Sequence, residues 1–89
     1  MFTRNVQFWK EDGWEGRKSR VETWNADTKE DLFLKILTAN NKIQKHFDKN
    51  KMNGDCWRFL DDDWKLQDEY DKWWANLGIE KQQEIFENA

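Results

Sequence analysis

Large aromatic rings crowd the last third of this chain. Trp57, Phe59, Trp64, Tyr70, Trp73 and Trp74 all fall within eighteen residues, and each such ring carries roughly 150–250 Å² of surface to be removed from water. A chain of 89 residues can enclose only one core in which to do so. Four tryptophans and a tyrosine on one short stretch exceed what one face of so small a core can hide. At least one tryptophan is therefore expected to stay in water. Leu, Ile, Val and Phe together number only 18, close to the fraction at which chains stop folding. The seven Trp and the absence of Pro place the chain among folded proteins nonetheless.

The fold class expected is α+β, a two-stranded antiparallel hairpin packed on three helices in the order β-β-α-α-α. Residues 1–26 read as the hairpin. Val6-Gln7-Phe8 and Val21-Glu22-Thr23 alternate in the manner of strands, and Gly13 and Gly16 supply the turn. Opposing Asp12 to Arg17 sets Phe8 against Val21, Val6 against Thr23 and Trp9 against Arg20, which joins apolar to apolar and cation to ring. A lone hairpin is marginal in water and must pack on something. Residues 27–50 read as a helix capped by Asp27, with Leu32, Phe33, Ile36, Leu37, Ile43 and Phe47 on one face and a weak point at Asn40-Asn41. Residues 55–77 read as a second helix, with Asp61-Asp62-Asp63 as the place where it would break. Gly78 ends it, and residues 79–88 form a short third helix that presents Ile79 and Phe86 to the core.

Charge is distributed in two halves. Residues 1–51 hold eleven Lys/Arg against eight Asp/Glu, a net of +3, while residues 52–89 hold four against ten, a net of −6. An acidic half is a poor seat for nucleic acid and a good one for a basic protein surface. No run of apolar residues is long enough for a bilayer, and the N-terminus lacks the apolar stretch of a signal peptide. Cys56 is the single cysteine, so no internal disulfide forms and a cytoplasmic, reducing location is expected, the host cytoplasm for a viral chain.

Chemistry is sparse. One His, His46, and one Cys make no zinc site. In the stretch from Asp48 to Phe59 the glycine comes one position late for a calcium loop, and Met52 and Phe59 stand where oxygen ligands belong. The carboxylates of Asp61, Asp62 and Asp63 fan out by about 100° per residue on a helix and do not converge on one ion. No catalytic residue, metal site or cofactor is expected, and the chain reads as no enzyme.

Two surfaces remain as candidates. The first is acidic and aromatic: Asp55, Asp61, Asp62, Asp63, Trp64, Asp68, Glu69, Asp71 and Trp73, with Trp57 and Trp74 interleaved. Carboxylates spaced along a helix imitate a phosphate backbone, and a tryptophan among them anchors the contact. The second is basic and aromatic, Trp9, Trp14, Arg17, Lys18 and Arg20 on the hairpin, which suits single-stranded nucleic acid. The expected function is a small protein-binding module, a viral or mobile-element inhibitor that occludes a basic surface of a host nucleic-acid-handling protein. Single-strand binding through the hairpin and self-association, including a homodimer, are the alternatives.

Overall fold

The computed structural model of the chain describes the backbone of residues 1–12, 15–45 and 56–88, and the side chains of these outside positions 10–19. Its elements run β1 (Phe2–Asp12), β2 (Glu15–Ala26), α1 (Lys29–Lys45), β3 (Cys56–Phe59), a 3₁₀ turn (Asp61–Asp63), α2 (Trp64–Asn76) and α3 (Gly78–Glu87). The class is α+β, with a three-stranded antiparallel sheet of order β2-β1-β3 rather than a two-stranded hairpin.

The third strand corrects the helix expected from residue 55. Cys56-Trp57-Arg58-Phe59 buries Trp57 and Phe59 and exposes Arg58, which is the period of a strand. Trp57, Leu60 and Trp64 also fit helical spacing, so the short run is ambiguous by pattern alone. Pairing decides it: Val6 lies opposite Phe59 and Phe8 opposite Trp57. The hairpin thus gains the third strand that a sheet needs for stability. After Leu60 the chain turns through Asp61–Asp63, where the Asp63 N–H donates to the Leu60 carbonyl at 2.8 Å, and α2 begins only at Trp64.

β1 is therefore the central strand, and this explains a second correction. Val6 pairs with Glu22 and Phe8 with Arg20, and after a bulge at Phe8/Trp9 the register shifts so that Asp12 faces Glu15. The expected pairing of Phe8 with Val21 assumed that β1 had to find apolar partners on β2. It finds them on β3 instead. Arg20 lies over the rings of Phe8 (5.9 Å) and Trp57 (5.2 Å) and holds Glu22 at 3.0 Å, so a charged residue opposite Phe8 is accommodated.

α1 starts one residue later than expected. Thr28, not Asp27, caps it: the Asp31 N–H donates to Thr28 Oγ1 at 3.1 Å and the Leu32 N–H to the Thr28 carbonyl at 3.1 Å. The helix runs unbroken through Asn40-Asn41. Leu32, Phe33 and Ile36 pack against Val6, Trp57, Phe59 and Leu66 to form the core. Phe33 is its hub, with ring centroids 5.6–5.9 Å from Phe59, Tyr70 and Trp73. Burying a side chain of this size contributes about 1.5–3 kcal/mol.

Gly78, with φ +81°, takes the left-handed conformation that stops α2 and starts α3. No residue of α3 is fully buried: Ile79 is 80% exposed, and Phe86 is also exposed, beneath the Lys45 ammonium at 5.1 Å, so neither joins the core as expected. The residues expected to close the first helix, including His46 and Phe47, and Asp55 lie outside the described residues.

Candidate functional site

α2 carries two stripes. Leu66, Tyr70 and Trp73 follow one another at intervals of four and three, and face the core. On the opposite side Trp64, Asp68, Asp71 and Trp74 repeat the same kind of spacing. Ten residues separate the two tryptophans of this outer stripe, about 15 Å along the axis. Trp64 is 63% exposed and Trp74 42% exposed.

The expected exposed indole is thus present, and the outer stripe borders two shallow depressions. One, of about 400 Å³, is lined by Arg58, Leu60, Asp61, Trp64, Gln67, Asp68 and Asp71. The other, of about 370 Å³, is lined by Tyr70, Asp71, Trp74 and Ala75. Asp71 belongs to both.

Gln67 sets this surface. Its Oε1 accepts the Phe59 N–H at 3.0 Å, and its Nε2 donates to Asp71 Oδ1 at 3.1 Å. One amide therefore ties α2 to the outer edge of β3 and orients a carboxylate in the groove. Asp68 is held by Lys72 at 3.1 Å, an exposed pair one helical turn apart, worth only a few tenths of a kcal/mol. Asp61 receives a long contact of 3.4 Å from the buried Gln7 amide. The Tyr70 hydroxyl is pushed up to about 12, first by burial, then by the neighbouring Asp71 charge; a hydrogen bond with Asn40 acts in the opposite direction.

The structure divides the acidic residues anticipated from sequence. Asp61, Trp64, Asp68 and Asp71 meet at the groove. Asp62 and Asp63 turn away toward β1, where they line a separate hollow with Arg4 and Asn5, and Asp63 pairs with Arg4 at 3.6 Å. Glu69 points toward α1 and meets Lys29 at 3.4 Å. Trp73 packs inward on Phe33 and Tyr70, and Asp55 lies outside the described residues. Sequence reasoning passed over Arg58 and Gln67 as members of the site. The spacing of Gln67, three residues after Trp64 and four before Asp71, was the available signal.

The basic hairpin surface does not assemble in the same way. Arg20 lies over Phe8 and Trp57 on the core face, whereas Trp9 sits beneath Arg58 at 5.5 Å on the opposite face. The anticipated contact of Trp9 with Arg20 is replaced by these two. Trp14 lies outside the described residues, as do the side chains of Arg17 and Lys18. A further concavity of about 600 Å³, lined by Trp24, Leu34, Lys35 and Lys42 among others, follows the outer side of α1.

No protein-family model, characterised protein or solved structure matches this chain. The functional reading therefore rests on the geometry of the site. Among the described residues, no helix is long and apolar enough to cross a membrane.

Proposed function

We propose that the chain is a non-enzymatic protein-binding module whose α2 face docks on a basic surface of a protein partner and occludes it. The observation that carries this reading is Trp64, 63% exposed on the rim of a groove that also presents Asp61, Asp68 and Asp71. A large indole left in water is a ready anchor, since interface hot spots are enriched in tryptophan. The surrounding carboxylates steer a cationic partner toward it and reject anionic ones. The pairing of Asp68 with Lys72 is weak and exposed, and an incoming guanidinium can replace it. Partners with extended basic grooves are typically proteins that handle nucleic acid. Occlusion of such a groove is the action of an inhibitor, of the kind viruses and mobile elements direct at host proteins.

Calorimetric titration with an octa-arginine peptide at two salt concentrations tests the reading. The wild-type chain binds, and more weakly at the higher salt. Charge reversal at Asp61, Asp68 and Asp71 together abolishes binding, whereas Asp62→Lys, outside the groove, leaves most of it. Equal binding by the triple variant and the wild type would refute the assignment.

A further inference from the structure

The two edges of the sheet are treated differently. At β3 the outward backbone groups are occupied: Asn40 engages the N–H and C=O of Trp57, and Gln67 engages the N–H of Phe59. These bonds also fix the phase of the ladder. Because Trp57 and Phe59 face away from β1, their opposites Phe8 and Val6 turn their own N–H and C=O toward β2, where they meet Arg20 and Glu22. Val21, Thr23 and Asn25, which alternate with those two, therefore present N–H and C=O along the outer edge of β2. Among the described residues, the side-chain contact on this edge is that of the Lys35 ammonium, 3.5 Å from the Asn25 carbonyl. From Arg20 to Ala26, beyond the bulge, this edge of β2 is thus left as an open template.

We propose that β2 pairs with β2 of a second copy, antiparallel and two-fold about Val21, to form a continuous six-stranded sheet. The axis is chosen by the side chains. Val21 is 55% exposed and would meet Val21 of the second copy, with both of their outward N–H and C=O groups bonded to each other. Arg20 would face Glu22 of the second copy, and Glu22 its Arg20. Arg20 and Glu22 already lie 3.0 Å apart within one chain, and both remain partly exposed, so pairing closes a ring of alternating charge. An axis at Thr23 would oppose Glu22 to Trp24 and Arg20 to Ala26 and lose both ion pairs. An axis at Ser19 would oppose Arg20 to Lys18, like to like. Of these three axes, the one at Val21 alone sets unlike charges opposite each other, and this self-complementarity favours a second copy over an unrelated strand.

Sedimentation equilibrium tests the pairing. The wild type associates to a dimer. R20E and E22R each set like charges across the axis and weaken dimerisation roughly tenfold or more. Mixed in equal amounts, the two variants form a heterodimer, because the carboxylates of one then face the guanidinium groups of the other. V21P removes the outward N–H while sparing the bonds to β1, and yields a monomer with an unchanged far-ultraviolet spectrum. Should R20E loosen the fold by removing the stack on Phe8 and Trp57, recovery of association in the mixture still reads the register. A wild type that stays monomeric at its solubility limit overturns the proposal. So does a dimer whose strength R20E and E22R leave unchanged.

Discussion

The side-chain amide of Asn40 makes the two hydrogen bonds to Trp57 that a further strand would make: Oδ1 accepts the Trp57 N–H at 2.7 Å and Nδ2 donates to the Trp57 carbonyl at 3.2 Å. A helix residue thereby closes the edge of β3.

Asn40→Ala leaves a half-buried backbone N–H and carbonyl without partners and should cost about 2 kcal/mol. Asn40→Asp keeps the acceptor and loses the donor, and should fall between the two. Urea denaturation of the three proteins measures the order.

Tyr70 is the chain's single tyrosine, which makes its ionisation directly readable by ultraviolet absorbance. Its folded value, about 12, lies above the ordinary value near 10. The unfolded chain therefore releases this proton first as pH rises, and folding stability falls between about pH 10 and pH 12. Below that window the group is protonated in both states and contributes no pH dependence. Tyr70→Phe should lose less stability over the same interval, and parallel slopes for the two proteins would contradict the assignment.

Two backbone devices carry separate predictions. Thr28→Ala removes the cap on α1 and should cost about 1 kcal/mol. Gly78→Ala forces a Cβ into the left-handed region, at φ +81°, and should also cost about 1 kcal/mol. Nothing lies within 4 Å of that Cβ position, so the loss comes from conformation and not from a clash. Gly78→Asn, which tolerates the same φ, should recover part of it.

The two kinds of tryptophan should separate sharply in stability. Trp57, 7% exposed and packed between the tilted rings of Phe8 and Trp24 at 5.1 and 4.6 Å, should cost about 3–5 kcal/mol on truncation to Ala. Trp64→Ala should change stability by no more than about 0.5 kcal/mol. Thermal melts of both variants check the contrast.

Much of this architecture could be read from residue order, and the misses share one cause. The face of α1 was legible because Leu32, Phe33 and Ile36 have no competing period. The stop at Gly78 was legible because that position needs a positive φ. Cys56–Phe59 was not, because Trp57 and Phe59 alternate as in a strand while Trp57, Leu60 and Trp64 recur as in a helix, until Val6 and Phe8 are seen beside them. The hairpin register failed for the same reason: the apolar partner of Phe8 is Trp57, nearly fifty residues away, and no local pairing rule reaches it. In the site, the excess of indole rings correctly signalled exposure. Which rings were exposed depended on which face of α2 meets the core: Trp73 packs with Tyr70 on Phe33, which leaves Trp64 and Trp74 on the outer side. Asp62 and Asp63 were misgrouped because the 3₁₀ turn aims them at Arg4.

The indole N–H resonances of the seven tryptophans report on each ring separately, and octa-arginine added at low salt is the probe that distinguishes them. The signals of Trp64 and Trp74 should move in proportion to occupancy, while those of Trp24 and Trp57 hold still. Movement confined to Trp9 or Trp24, with Trp64 unaffected, would contradict a docking face on α2.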